Sequence, residues 1–592
     1  MLAAALEELG KRYDPAERML RDAGPAGARS SIWASLRYAL YLLESDGDAR
    51  RGRAAAILDR ALGLQITDPK DELCGLWRPW PEESPAAGPA EAWRGGVHAA
   101  AALAEIALRR GRVLPVDLRK RVDEAVRLAA TELAWRDPPV RSAPAEAAAA
   151  FVALAAGRLF EDEKLAEHGF GRLVRLAAWI DETGSFEEYN SPVRIREALA
   201  GLTRIRMYVR HRDAQALAEK IHQRAWLHLE RRWHAPARQL AGPISYCRRT
   251  GIGAPLWLQK ALGGALEFAS LDDIRAGRAG PDGEAALLEW RCPAELRKRF
   301  LELAEPGQRR EIFRPPMPPA PAVQGTTLLE RKFCLGTVNL GGFARHERPL
   351  LAFWGGPERP PRYVRLRVLA DGRDLNEAVF TSIQERNCVL AFVNFSGGPE
   401  QELRCRRLRV RLDVAGAKTP VQLLAGGKKA EVPVSGLHSG TRLAMDLGGI
   451  YLWLRFPRAA FGDGEPRLSV EREDGLLAVS LDLLRSGTPK AVRWADLGEA
   501  WAALSLVVEE AEGALYDFNL KCSLGRCWFE PREETMRAVW RSPAGRLWMD
   551  GGRRPAPLHE QYGRYRAGIR SAPVEYVRLS EERLAPAADS TP

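Results

Sequence analysis

Histidine and methionine are scarce in this 592-residue chain, with 9 and 7 copies, and none of its eight cysteines falls in CxxC spacing. Cys74, Cys247, Cys292, Cys334, Cys388 and Cys405 are scattered, and Cys522 with Cys527 is the one close pair. That pattern argues against a structural zinc site and a disulfide framework, and predicts free, mostly buried thiols in a reducing compartment. His222, His228 and His234 recur at six, which does not stack them on one helical face, so neither a metal site nor a cofactor is expected. No apolar run reaches the uninterrupted length of a membrane span. An RNA-binding signature, finger spacing and a basic helix are also missing, so nucleic acid is not an expected partner. No fixed repeat period is found, which speaks against a strict solenoid. The first twenty residues carry acids in their first turns and lack a basic-then-apolar leader. As written this predicts a cytoplasmic protein, and a start further upstream would make it secreted or periplasmic.

What the chain does hold is length for two to four domains. Its 46 % hydrophobic and 28 % charged residues argue against global disorder. A net charge of +11, spread along the chain and mostly arginine, gives a weak preference for anionic ligands. Up to about Arg310 the apolar residues recur at three and four. Helices are predicted over 31–44, 53–64, 92–110, 115–133, 144–159, 161–180, 192–209, 213–231 and 255–269. Short connections make consecutive helices antiparallel neighbours, as in an α/α toroid. A stiff Arg314-Pro315-Pro316-Met317-Pro318-Pro319 stretch follows. Beyond it the period changes to two, and alternating runs between Gly, Pro and Asp turns predict a large antiparallel sandwich. The predicted fold class is α+β and multidomain. A helical toroid covers 1–313, a proline-rich linker 314–325, a β-sandwich 326–580 and a disordered tail 581–592. A short helix or loop is expected over 494–504.

The stretch Asp181 to Ala200 stands out. Gly184 and Ser185 mark a turn, Phe186-Glu187-Glu188-Tyr189-Asn190 crowd acids, an aromatic and an amide, and Ser191-Pro192 reads as N-cap and N1 of a new helix. A turn held between helices is placed to present these side chains to a ligand. An ordinary capped αα-hairpin with solvated acids accounts for the same residues. Trp77, Trp93-Arg94 and Trp135-Arg136 also fall at turns, where aromatic faces and guanidinium groups would suit a sugar ring and its carboxylate, or simply fill inter-helix space. His98 after Gly95-Gly96 is either a cleft residue or a packed core histidine.

The motifs Ser185-Phe186-Glu187-Glu188-Tyr189-Asn190-Ser191-Pro192, Arg238-Gln239-Leu240-Ala241-Gly242-Pro243-Ile244-Ser245, Leu335-Gly336 and Arg348-Pro349-Leu350-Leu351-Ala352-Phe353-Trp354 resemble a bacterial branch of the heparinase II/III-like and alginate-lyase-like family. The resemblance implies an α/α toroid followed by a β-sandwich. It also implies β-elimination on a uronate-containing poly- or oligosaccharide. Such an enzyme neutralises the sugar carboxylate, removes the neighbouring proton and protonates the leaving oxygen. By that resemblance Asn190 would bind the carboxylate with Arg194 or Arg238, and Tyr189, Tyr246 and His234 are the proton-transfer candidates. Glu187, Glu188, Gln239, Trp77, Trp93 and His98 would line the substrate. The chain departs from the pattern twice. Val193-Arg194 stands where Thr-Tyr is common, and Ile244-Ser245-Tyr246 follows Gly-Pro where His-Ser-Arg is usual. Two alternatives stay open: a glycoside hydrolase pairing Glu187 or Glu188 with Asp181 or Asp137, and a glycan-binding or scaffold protein that has lost its acid-base pair. The oligomeric state is not readable.

Overall fold

The computed structural model describes residues 1–24, 27–80, 89–137, 142–186, 188–247, 249–303, 305–357, 360–398 and 400–570. The chain forms two compact units. One comprises Met1–Ile180, Arg194–Leu227 and Ala254–Arg297, the other Asp181–Val193, His228–Gly253 and Lys298–Pro592.

The first unit is helical. Its helices are α1 (Leu2–Gly10), α2 (Ile32–Leu43), α3 (Asp48–Leu62), α4 (Pro89–Arg110), α5 (Val116–Arg136), α6 (Ala143–Phe160), α7 (Glu163–Thr183), α8 (Pro192–Tyr208), α9 (Arg212–Glu230) and α10 (Leu256–Ala261), followed by the short α11 (Leu271–Arg275), α12 (Gly283–Leu287) and α13 (Ala294–Leu301). α2 packs on α3 and α4, and α6 packs on α4 and α5. α6 is the centre of this core: APAEAAAAFVALAAG is buried throughout. Small side chains let neighbouring helices approach from every side, and at Gly157, Gly169 and Gly201 an added Cβ would lie under 3.0 Å from Ala166, Leu154 or Ala147. By length and hydropathy α6 passes as a membrane span although Glu146 and Arg158 interrupt its apolar run, and 83 % of it is buried inside the fold. An all-round apolar helix is what a core position requires.

Periodicity missed two features here. Met19–Gly24 pairs with Tyr13–Asp14 and with Gly27–Ser31 in a small antiparallel sheet. The helix expected over 255–269 ends at Ala261, and Gly263 and Gly264 both take positive φ just beyond it.

The second unit is a sandwich. A ten-stranded antiparallel sheet runs in the order Val434–His438, Arg467–Glu473, Leu476–Arg493, Glu402–Ala415, Arg362–Ala370, Leu350–Trp354, Phe333–Val338, Val323–Leu329, Gly307–Arg314, with Arg373–Asp374 alongside. A nine-stranded sheet is built on Gln422–Ala425, Leu443–Asp446, Ile450–Arg455, Ala500–Glu510, Cys388–Phe395 and Ala378–Glu385. Leu366, Val368, Val410 and Leu412 of the first sheet share one core with Phe380, Leu390, Phe392, Trp453 and Leu504 of the second. The intervening arginines of Arg365-Leu-Arg-Val and Arg409-Val-Arg-Leu turn to the opposite face, where Arg365 and Arg411 meet Asp413 at 2.9 and 2.5 Å. That alternation follows from the two-residue period of a strand.

The proline-rich stretch is not the boundary between units. It forms the turn between Gly307–Arg314 and Val323–Leu329, two paired strands of the sandwich, and Met317 and Ala320 bridge within it. The proposed linker 314–325 and the boundary at 313 are corrected accordingly. Residues 233–234 and 239–240, assigned to the helical domain, form a hairpin that belongs to the β unit. Residues 494–504 are a 3-10 turn (Trp494–Asp496) leading into the strand Ala500–Glu510. A further four-stranded sheet, Cys527–Pro531, Thr535–Ser542, Gly545–Gly552 and Arg566–Arg570, went unread. The strand expected over 574–579 and the tail 581–592 lie outside the described residues.

Candidate functional site

The four motif segments that carry the family resemblance meet in the β unit and hold one another by backbone contacts. Gly242 and Gly336 lie face to face: a Cβ on Gly336 would fall 1.7 Å from the Gly242 carbonyl oxygen, and one on Gly242 would strike Leu351 at 2.8 Å. Thr327 Oγ1 donates to the same Gly242 carbonyl at 2.9 Å. Ile244 and Arg348 exchange N–H···O bonds of 3.1 and 2.7 Å. Ser245 donates through both its N–H and its hydroxyl to the carbonyl of Tyr189, the hydroxyl at 2.8 Å. The glycines and serines of the motifs thus answer to close backbone approach.

Asn190 closes this knot. It sits at φ +50, a left-handed conformation that asparagine tolerates better than most residues. Its side-chain amide donates to the carbonyls of Ala241 at 2.5 Å and Pro243 at 2.8 Å. A carboxamide has two N–H donors, and both are engaged. Its backbone N–H donates to His228 Nε2 at 3.3 Å. Burial, then the neighbouring Arg232 and Arg231, holds the His228 pKa well below the usual range, so this imidazole is neutral. The Asn190 residue is 1 % exposed.

Tyr189 is equally enclosed. Its ring stacks on Phe313 with centroids 4.5 Å apart and planes 4° from parallel. Burial raises its phenol well above the normal range, with the Glu347 carboxylate adding to the effect. His234 is fully buried: Nε2 bonds the Glu330 carbonyl at 2.8 Å, while the Ala237 N–H donates to Nδ1 at 3.3 Å. Burial brings its pKa down to about 4. Gln239 accepts the Ile252 N–H at 2.8 Å, and Glu188 is buried. The solvated, ligand-facing turn expected here is therefore a packed core element. Tyr246 and Arg238 differ from their neighbours in being only half buried, and both take positive φ. Glu187 lies outside the described residues.

The remaining candidates fall in the helical unit. Trp77 is fully buried and donates Nε1–H to the Ala61 carbonyl at 2.8 Å, so it is inter-helix packing. Trp93 is half buried on α4. His98 and Arg194 do come together: Glu197 lies 3.1 Å from Arg194, 3.5 Å from Arg94 and 3.9 Å from His98. His98 tilts against Trp33 at 5.4 Å, and burial lowers its pKa to about 4. Beside them Glu284 receives Arg204 at 2.5 Å, Arg196 at 3.0 Å and Arg37 at 3.2 Å, and Arg204 reaches Glu105 at 2.6 Å. The chamber lined by Trp33, His98, Arg196, Glu197, Arg204 and Glu284 measures about 20 Å³. That is room for a water molecule and too small for a sugar ring. Sequence reasoning missed this charged core because its arginines are scattered from Arg37 to Arg204 and share no motif. Asp137, one of the two acids named for a hydrolase pairing, sits at an α5 terminus bound to Arg172 at 2.9 Å and Arg175 at 2.5 Å. Among the described residues no cluster of His, Cys, Asp and Glu is placed to hold a metal.

Neither a family model nor a curated relative matches the sequence. Among solved structures the chain is similar to heparinase III, at 10% identity over 88% of this chain and 82% of that one, with a TM-score of 0.40. It is similar to the Streptomyces coelicolor A3 chondroitin AC lyase in complex with chondroitin sulphate, at 11% identity over 93% of this chain and 84% of that one, TM-score 0.45. A heparan sulfate lyase from Pedobacter heparinus aligns at 9% identity over 88% of this chain and 95% of that one, TM-score 0.32. At such scores no residue's role passes from them to this chain.

Proposed function

We propose that this chain is a polysaccharide-lyase-like protein that binds an acidic glycan without cleaving it through the Tyr189–Asn190 loop. The observation that carries this reading is the state of the Asn190 amide. Both of its N–H donors are bound to the carbonyls of Ala241 and Pro243, so neither is left for a uronate carboxylate. Tyr189 adds to it, since a phenol stacked inside a core neither takes nor delivers a substrate proton. His234, neutral and bonded at both ring nitrogens, is likewise unsuited to shuttle one. A net charge of +11 supports an anionic partner.

The test offers purified protein a panel of heparan sulfate, chondroitin sulfate, hyaluronan and alginate, with absorbance from unsaturated uronate and retention on the immobilised glycans followed in parallel. Salt-sensitive retention with no absorbance change is expected. Rapid appearance of unsaturated ends, abolished by Asn190→Ala, would refute the proposal. A second reading has one observation in its favour. Tyr246 is the only half-buried residue among the four catalytic candidates, and its positive φ is a local strain of the kind found at functional sites. Slow cleavage that is lost in Tyr246→Phe while the fold is kept would select it.

A further inference from the structure

The four-stranded sheet of the β unit turns one face to the sandwich core through Met536, Ala538, Trp540, Leu547 and Met549. The two-residue period of its strands sends the alternate side chains outward. Cross-strand register sets Trp528, Val539, Trp548 and Gly568 in one outward row, and Arg541 beside Arg546 in the next. An outward sheet face is ordinarily polar, yet this row carries two half-buried tryptophans. A Cβ on Gly568 would lie 2.6 Å from Trp548 Nε1, so glycine is what lets the indole pack on the neighbouring strand. Arg541 and Arg546 stand over the Trp528 ring at 6.0 and 5.2 Å, and Arg537 over the Trp548 ring at 4.2 Å.

The helix Leu515–Ser523 leads into this sheet. It buries Leu515, Phe518, Asn519 and Cys522, and turns Tyr516, Leu520 and Leu524 to solvent at 59%, 50% and 76% exposure. Leu524, the C-cap residue, keeps helical φ and ψ, so the spacing of four aligns all three on one stripe. Single exposed apolar side chains need no explanation, whereas an aligned run marks an interaction surface. The stripe ends against the arginine row. A Cβ on Gly525 would lie 2.0 Å from the Arg541 carbonyl oxygen, and the Arg541 N–H donates to the Arg526 carbonyl at 2.9 Å. The acids nearby are Glu509, Asp517, Glu530 and Asp550. Glu509 is bound to Lys521 at 2.8 Å and Asp550 to Arg537 at 2.7 Å, while Glu530 accepts the Trp528 indole N–H at 3.0 Å. Arg526, Arg541 and Arg546 have no ion pair among the described residues.

We propose that this surface docks on an anionic lipid bilayer, with Tyr516, Leu520 and Leu524 entering the headgroup layer and the three arginines meeting lipid phosphates. The pairing of features selects the partner. A soluble polyanion would use the arginines and leave the leucines in water. A bilayer uses both, since apolar side chains enter the boundary of headgroup and acyl chain, tryptophan favours that interface, and basic residues are drawn to anionic lipid. The surface is separate from the Asn190 loop and does not depend on whether the chain cleaves a glycan.

Co-sedimentation of the full chain with vesicles of phosphatidylcholine alone, and of phosphatidylcholine mixed with phosphatidylglycerol, tests it. Binding is expected to the mixed vesicles only, and it should weaken as salt screens the arginines. Leu520→Ser/Leu524→Ser keeps every charge in place at two exposed positions and is expected to weaken binding at least about tenfold. Arg541→Gln/Arg546→Gln is expected to weaken it about fivefold for each arginine removed. Light scattering without lipid tests the other occupant, a second copy of the chain. Equal binding to neutral vesicles, or unchanged binding in the leucine variant, as a charge attraction common to any polyanion would give, would overturn the proposal. So would no binding to either vesicle, with or without a dimer that the leucine substitutions dissociate.

Discussion

Acidification from pH 6.5 toward 4 is expected to unfold this protein. His98, His222 and His234 are buried without charge, and burial lowers their pKa values to about 4, 3 and 4. In the unfolded chain each returns to about 6.5. Between those limits the unfolded state binds more protons than the folded one, so stability is complete above the unfolded value and is lost as pH falls toward the folded value. Each histidine then removes about 3 kcal/mol, and the three together on the order of 10 kcal/mol, comparable with the whole stability of a domain. His228, also lowered by burial, acts in the same direction. His98 and His222 belong to the helical unit and His234 to the β unit, so both are acid-sensitive. Circular dichroism across a pH series at fixed ionic strength should show the transition between about pH 6 and 4. His222→Phe should move the helical part of it to lower pH. Native signal and constant denaturant resistance down to pH 4 would contradict this.

Removing Arg172 is expected to be the most damaging single substitution in the helical unit. Its side chain is fully buried, and so is that of Glu146, whose carboxylate it holds at 2.7 Å through Nη2 and 3.1 Å through Nε. Glu146 lies in α6, among alanines, where burial pushes its pKa up against the pull of Arg172. Arg172→Met leaves that carboxylate without its buried counter-ion, and the loss should be about 3–5 kcal/mol in chemical denaturation. The paired variant Glu146→Leu/Arg172→Met should recover most of it, because the apolar pair carries no desolvation penalty. A single variant within about 1 kcal/mol of the parent would show that the ion pair does not hold the core.

Element type was legible where the period was long and one-sided. The helical rows from Ile32 to Glu230 and the alternating strands around Arg365 and Arg409 were readable because one face of each meets a core. Short elements were not. The hairpin at Trp233–His234 and Gln239–Leu240 has two residues a side, too few to display a period. The proline-rich stretch looked like a linker because composition alone does not reveal that the strands flanking it pair with each other. The motifs were correctly grouped, since Asn190, Gly242, Ser245, Gly336 and Arg348 do converge. Their surroundings were not legible, because a polar residue in a turn reads the same whether its partner is a ligand or a backbone carbonyl.

The account turns on what the Asn190 amide does, and the unfolding free energy of Asn190→Gly measures that directly. Glycine keeps the left-handed backbone at no strain, so the difference reports the side chain plus glycine's unfolded-state entropy of about 0.5–1 kcal/mol. If the amide serves the Ala241 and Pro243 carbonyls, the variant loses about 2–4 kcal/mol, two buried acceptors being left unsatisfied. A variant as stable as the parent would show that the amide is free for a ligand and that the loop is a site after all.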